Sequence, residues 1–537
     1  MNWQISPLTV INFVTNLMNI LFPTNFSSDM LLQMNVNIVE RKISMKDFDF
    51  PMESMEVARA LALNRFPDKF LFGAGSSAYQ IEGAYDADGK GLSVWDFWTH
   101  NDASPIVDKS NGDVACDSYH KYAEDVNLVK NLGGNTYRIS LSWSRILPHG
   151  LSHFVNIQGI KYYNNLINTM ILNGVTPMVT MHYYDVPVKL QLMGGWTNPQ
   201  MVKYFEDYAR VAFNYFGDRV KHWITFNDPF DLCNIHFGNA YKPWYNDSAV
   251  GNYLCGHHVL LAHARVYHLY RTEFHWLQKG KVGISIGTQW FEPKDPTSLD
   301  DVEATELSFQ FGTYWFLNPL LGELGDYPDL MKVEVEIKSA LQRYQTSRLP
   351  SFTLDEKQMI KQSLDFLGIN FFTSFYVQSI ADDVEIIYHY DSVIRNESVW
   401  NDMRSQWIFF DKSTPENFAK LLQRLNKDYI LPQVYITANG FIDKGNIYDV
   451  DRALYHVNHL IELFVKMFDG IDVRAYIAWS LLDEFQWMDG YTQKMGLYSV
   501  DFEDPERPRS EKFSATILKS IYKSKTVTKI TEQLLQS

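Results

Sequence analysis

Between positions 65 and 522 the chain alternates a short run of β-branched and aromatic residues with a longer run of helical spacing, eight times over. The spacing predicts strands over 70–74, 136–143, 176–182, 222–227, 282–290, 366–372, 434–437 and 473–480. It predicts helices over 117–132, 159–172, 201–216, 256–270, 302–316, 416–426, 451–468 and 513–522. Strands alternating with helices form a parallel sheet through right-handed crossovers. Eight such units favour a closed α/β architecture, a single (β/α)8 TIM barrel, over an open doubly wound sheet. Two connections, 322–360 and 378–412, are long enough to be expected as functional βα loops. Residues 65–525 are thus read as one barrel domain, 526–537 as a tail, and 1–64 as a leader or extension.

Size and composition bound the function classes. A chain of 537 residues could hold two or three domains, but a barrel with insertions fills more than about 400 residues alone. A hydrophobic content of 46% supplies a large core. Aromatic residues reach 15%, which serves either that core or a site where sugar faces stack on rings. The net charge of -15 excludes a basic footprint for phosphates, so no nucleic-acid partner is expected. Cys116, Cys233 and Cys255 are too few for a disulfide-dense scaffold. Cys233 and Cys255 could close one loop, and the odd count leaves a thiol over.

The apolar stretch 8–22 is interrupted by Thr and Asn and is too short and polar for a transmembrane span. It is compatible with a signal peptide, although no Lys or Arg precedes it. Sequons at Asn25, Asn246 and Asn396 fit a secreted glycoprotein. A secretory or extracellular location is the expectation, with a cytoplasmic one as the alternative.

The ends of the predicted strands carry the chemistry. Val434-Tyr435-Ile436-Thr437-Ala438-Asn439-Gly440 is a buried strand stopped by a turn signal. Side chains at such a stop reach the rim where barrel enzymes keep their active sites. Together with Phe66-Pro67-Asp68-Lys69-Phe70, Tyr137-Arg138-Ile139-Ser140, Thr225-Phe226-Asn227-Asp228-Pro229 and Trp479-Ser480-Leu481-Leu482-Asp483, it closely resembles glycoside hydrolase family 1. That is the β-glucosidase family, with klotho-type and myrosinase-type branches. The resemblance implies a retaining β-glycosidase, which needs two carboxyls about 5 to 5.5 Å apart, one attacking and one acting as acid and base.

Here the chain departs from the family pattern. The family's I-T-E-N-G places the nucleophile where this chain has Ala438. The acid/base position of T-F-N-E-P is Asp228, one methylene shorter, so its carboxyl retracts by about 1.5 Å. A Tyr that normally bonds the nucleophile is replaced by Phe372, and a Glu that grips the sugar by Gln486. His182 is followed by Tyr183 where many members have Trp. Gln80, His182, Asn227, Asn370, Trp479 and Trp487 match glycone-contacting positions, and Arg138 matches an Arg that orients the nucleophile. With Ala438 present, Arg138 is expected either to face a cavity or to pair with Asp228.

The resemblance therefore implies a protein that binds a glycoside or sugar with little or no hydrolysis. The alternative is a β-glucosidase or myrosinase-like enzyme with an altered mechanism, using a carboxyl such as Glu484 or Asp483. The barrel-top loops are the surface left for a protein partner. No cofactor and no metal are expected. Gly73-Ala74-Gly75-Ser76-Ser77-Ala78 fits a dinucleotide fingerprint, but that motif needs a helix at once, and a Gly- and Asp-rich loop is expected instead. His257, His258, His263 and His268 share a predicted helix without the paired spacing and carboxylate of a metal site.

Overall fold

The computed structural model of the chain describes residues 64–527 apart from 102–103, 105, 238–247, 381–385, 390–391, 396–398 and 411–412. The leader stretch 1–63 and the three sequon asparagines, Asn25, Asn246 and Asn396, lie outside the described residues. Two compact units are distinguished. One comprises the described residues 64–70 with 520–527, the other the described residues of Leu71–Lys519.

The large unit contains a closed barrel of eight parallel strands. In chain order these are β1 (Leu71–Gly75), β2 (Thr136–Ser140), β3 (Thr176–His182), β4 (His222–Asn227), β5 (Lys281–Pro293), β6 (Phe366–Ser379), β7 (Gln433–Asn439) and β8 (Val473–Trp479). Each pairs with its sequence neighbour, and β8 returns to β1 through Leu71↔Ala475 to Gly75↔Trp479, which closes the ring. Side chains from five of the strands meet in the interior. Met178, Ile224, Phe366, Tyr435, Ala475 and Ile477 form one buried cluster, with the Phe366 and Tyr435 rings stacked at 4.2 Å. Emptying such a position, as in Phe366→Ala, costs about 3 to 5 kcal/mol.

The intervening helices are α1 (Ser118–Asn131), α2 (Ile157–Leu172), α3 (Gln200–Phe216), α4 (Gly251–Leu269), α5 (Leu299–Phe309), α6 (Pro415–Asp428) and α7 (Val450–Phe468). Helix α3 shows why these runs fold as they do. Met201, Phe205, Tyr208, Ala212 and Phe216 recur at helical spacing and are buried, while polar residues take the other face. The two long connections are more ordered than expected. The first contains helices Asp329–Leu341 and Leu354–Ile360. In the second, Ser405–Phe409 runs antiparallel to the outer half of β6, which also pairs with Trp290–Pro293 of β5, and the strand reaches Ser379.

Two register shifts fall where the site begins. β7 slips against β6 between Ile436 and Ala438, and β4 slips against β5 between Ile224 and Asn227. Such bulges turn a strand and re-aim its side chains. Here they do so at the two positions where the resemblance puts catalytic carboxyls. Gly73 and Gly75, part of the dinucleotide-like run, are explained by packing. A Cβ at Gly73 would meet the Thr136 carbonyl oxygen at 1.9 Å, and one at Gly75 would meet the Trp479 ring at 2.8 Å. A single helical turn, Ala78–Ile81, follows β1 where a loop was expected.

Candidate functional site

Strand ends β2, β4, β6 and β7 converge on one hydrogen-bonded network. Arg138 on β2 donates from Nη2 to Asn227 Oδ1 at 2.6 Å, from Nη1 to the Thr437 carbonyl at 2.8 Å, and from Nε to Thr180 Oγ1 at 3.2 Å. Neutral oxygens left by the polar strand ends take up these N–H groups, and the guanidinium charge also acts on the Asp228 carboxyl. Asn370 donates from Nδ2 to Asp228 Oδ1 at 2.8 Å and to Asn227 Oδ1 at 2.9 Å. Its own Oδ1 accepts from Thr437 Oγ1 at 2.8 Å and Ser285 Oγ at 3.0 Å. Ala438 is fully buried and lies in register with Asn370.

Asp228 is the one carboxylate within this network. Its second oxygen accepts from Asn227 Nδ2 at 3.2 Å and from the Tyr184 hydroxyl at 3.4 Å. Burial pushes its pKa up to about 6, against the lowering effect of Asn370 and Arg138. Burial and the charge on Asp228 together push Asp231, one turn into the following helix, up to about 7. A carboxyl with such a pKa can hold a proton near neutrality, as a general acid must.

The aromatic half of the site is closed by its own residues. The Tyr183 ring lies face to face with Trp479, centroids 5.4 Å apart at 13°, and with Trp487 at 5.9 Å and 10°. Tyr184 meets Trp487 edge-on at 5.0 Å. Tyr184 and Trp487 both have positive φ, 69° and 52°, a conformation that bulky side chains adopt only when their surroundings impose it. His236 Nε2, paired with the Tyr184 carbonyl oxygen at 3.0 Å, helps to do so.

The other expected contacts are placed as follows. Gln80 is buried with both ends of its amide used, donating to the Phe485 carbonyl and accepting from Ser77 Oγ, each at 2.7 Å. His182 packs among Trp143, Trp196, Phe205 and Phe226. Burial holds it neutral by pushing its pKa down to about 3. Its Nε2 accepts from the Trp196 indole at 3.3 Å, and its Nδ1 is buried without a partner. Gln486 is half-buried. Phe372 lies two residues beyond Asn370, half-buried, with only its carbonyl oxygen held, by Tyr455.

Of the two spare carboxyls, Asp483 is occupied by Lys512 Nζ at 2.8 Å and by the Gly496 amide. Glu484 differs. It is fully buried, and the side chains of Ser480, Gln486 and Trp479 are the hydrogen-bonding groups that face its oxygens. Burial, then the neighbouring Asp483, pushes the Glu484 pKa well up.

Sequence reasoning missed Tyr184, Thr437, Ser285 and Thr180. Tyr184 was the legible one, since two bulky aromatics at the end of β3 cannot both point into the barrel. The four histidines of the decoy helix each take a separate partner: Tyr327 for His257, the Trp196 carbonyl for His258, Thr225 for His263 and the Met359 carbonyl for His268. Cys233 and Cys255 form a disulfide, and Cys116 is a buried free thiol. No helix among the described residues is long and apolar enough to cross a membrane.

Comparison with known proteins agrees with this arrangement. The sequence profile of glycosyl hydrolase family 1 matches residues 62–527. Myrosinase 1 of Brevicoryne brassicae is 42% identical over 460 residues, covering 85% of this chain and 98% of that protein. Human cytosolic beta-glucosidase is 39% identical over 457 residues, covering 83% and 95%. The solved structure of aphid myrosinase superposes with a TM-score of 0.80 at 41% identity, over 86% of this chain and all of that one. A barrel of this closure, a polar network at these strand ends and a match over most of its length together make the chain a member of glycosyl hydrolase family 1.

Proposed function

We propose that this protein is a non-hydrolytic, or at most very weakly hydrolytic, family 1 barrel that acts by binding a β-linked sugar or glycoside. One observation carries the reading: Ala438, which aligns with the attacking carboxylate of the family's I-T-E-N-G pattern, is fully buried and in register with Asn370. A methyl group cannot form the glycosyl-enzyme that retention requires. Asp228 supplies at most the acid half of the mechanism, and Phe372 offers no hydroxyl to a nucleophile. Sugar binding is supported by Trp479, Trp487, Gln486 and His182, a grouping of stacking rings with polar groups.

A panel of nitrophenyl β-glycosides with the full chain tests the reading. The expected result is no turnover above the uncatalysed rate. Family-like rates on any member of the panel would sink it. A second reading, cleavage through a different carboxyl, rests on Glu484, which is fully buried. A covalent glycosyl adduct on Glu484, found by mass spectrometry, would favour it.

Secretion belongs to the same proposal. It rests on the Cys233–Cys255 disulfide, a bond typical of oxidising compartments, and on the sequons at Asn25, Asn246 and Asn396. Sensitivity of the protein to glycosidase treatment after expression in a secreting cell is the check. Unshifted mobility would leave a cytoplasmic location as the better reading.

A further inference from the structure

We propose that the helix Asp329–Leu341 is a self-association surface, on which two copies of this chain pair antiparallel about Val335. The inference goes beyond sugar binding and does not depend on it.

The helix lies in the first long connection and carries apolar residues on two faces. Its inner face is explained by the fold: Met331, Val335, Lys338 and Ser339 are all buried. Its outer face is not. Leu330, Val333, Ile337 and Leu341 are 38%, 50%, 49% and 52% exposed. They follow one another at steps of three, four and four residues, which sets them in one row along a helix. Single exposed apolar side chains are ordinary on a protein surface. A row at this spacing is the pattern by which helices pair. On the edge of the row that holds Glu334, Arg404 from the second long connection reaches that carboxylate at 3.6 Å. That edge faces the body of the protein, and the row itself faces solvent.

Charge selects the occupant. A net charge of -15 works against self-association in general, but this segment alternates sign through Asp329, Lys332, Glu336 and Arg343. At about 100° per residue, Lys332 and Glu336 share the second edge of the row. Asp329 opens the helix, and Arg343 follows its end. An antiparallel copy centred on Val335 brings Val333 beside Ile337 and Leu330 beside Leu341. The same register brings Lys332 towards Glu336 of the other copy, and Asp329 towards its Arg343. Every charged contact then joins opposite signs, and the two helix dipoles oppose one another favourably. A parallel copy would set Asp329 beside Asp329 and Glu336 beside Glu336. Within one chain Lys332 already serves Asp326 at 3.1 Å and Asp329 at 2.8 Å, and Asp326 is shared with Lys357 at 2.8 Å. Glu336 and Arg343 of the second copy extend that network.

The strength follows from size. A helix of 13 residues is about 20 Å long. Two of them bury less than the roughly 1,200 Å² typical of a stable complex, so association belongs in the micromolar range.

The test is sedimentation velocity of the full chain over a concentration series. Wild type should pass from monomer to dimer with a midpoint between about 1 and 100 µM. Val333→Glu with Ile337→Glu should remain monomeric throughout, with thermal unfolding showing the variant folded. A second arm reads the register and uses milder changes. Val333→Cys and a tagged Ile337→Cys, mixed under gentle oxidation, should form the mixed disulfide faster than either forms one with itself. A wild type that stays monomeric at every concentration overturns the proposal, and something other than a second copy then covers the row. A dimer that survives the two glutamates overturns it as well, since the interface then lies elsewhere. Faster coupling of each cysteine variant with itself overturns the antiparallel register.

Discussion

Asn370 Nδ2 donates to Asp228 Oδ1 at 2.8 Å, and so ties the end of β6 to the residue just after β4. The bond holds a carboxyl that burial would otherwise keep protonated. Because Asp228 rises to about 6 in the fold, against about 4 for an ordinary carboxylate, its ionisation works against folding. The penalty is absent below about pH 4, grows between about pH 4 and 6, and is constant above that, reaching on the order of 3 kcal/mol. Asp231 adds to it in the same direction, since part of its upward shift comes from the charge on Asp228. Asp228→Asn should therefore gain in stability relative to wild type as pH is raised from 4 to 7. Paired thermal unfolding curves at the two pH values measure this. A difference that stays flat or reverses would show that Asp228 titrates normally.

The two long connections meet at a buried ion pair. Arg348 from the first holds Asp402 from the second through two bonds of 2.7 and 2.8 Å, and both side chains are fully buried. The Tyr253 hydroxyl donates to the same carboxylate. Asp402→Ala would leave a buried guanidinium uncompensated, which costs about 3 to 5 kcal/mol. Chemical denaturation should show the loss. The variant Arg348→Met with Asp402→Leu should recover much of it, because an apolar pair leaves no charge behind. If the double variant is as unstable as the single one, the pair orders the two connections by geometry rather than by charge balance.

These connections also mark where the sequence stopped being informative. Strands such as Thr176–His182 were legible because a buried strand is a short run rich in apolar and β-branched residues, and that property is local. The outer half of β6 was not, since it becomes strand by pairing on one side with Trp290–Pro293 of β5 and on the other with Ser405–Phe409, partners supplied by distant stretches. The same holds at the site. Asn227, Asp228 and Asn370 could be read from their places at strand ends, and they do meet. The position of Tyr183 could not, because it depends on Trp479 and Trp487 arriving from the last strand and the loop beyond it. The fate of Arg138 was open for a similar reason. Its acceptors are a main-chain oxygen, the Thr180 hydroxyl and the amides of Asn227 and Asn370, and no spacing rule singles those out.

Cys233 and Cys255 join the helix after β4 to α4 across a separation of 22 residues. Closing a loop of that length contributes about 3 kcal/mol by restricting the unfolded chain. Both cysteines are fully buried, so a mild reductant should act on the folded protein only slowly. Cys233→Ser with Cys255→Ser should lower the unfolding midpoint in denaturant. Wild type unfolded in the presence of reductant should match the double variant. An unchanged midpoint would mean that the packing of α4 carries this region without the bond.

The last prediction concerns supplying a carboxylate at position 438. Ala438→Glu supplies an attacking carboxylate beside Asn370 and within the field of Arg138, whose guanidinium sits 5.5 Å from the Trp479 ring centroid. Alone it should give weak retaining hydrolysis of a dinitrophenyl β-glucoside, a substrate whose leaving group needs no acid. Adding Asp228→Glu should raise the rate on less activated nitrophenyl substrates by about 10²-fold, since a misplacement near 1 Å costs that much. Adding Phe372→Tyr should help the double variant and do nothing in the starting protein, where no carboxylate awaits its hydroxyl. Groups that act as a unit are not additive, so the order of effects carries the information. Azide offered to the starting protein should instead attack the dinitrophenyl substrate once, from the side of Ala438, and give the inverted glycosyl azide. Product configuration by NMR separates the two routes. If the triple variant stays folded yet inert on the activated substrate, the residue at 438 is not the only barrier, and the packing of Tyr183 against Trp479 and Trp487 is the next feature to change.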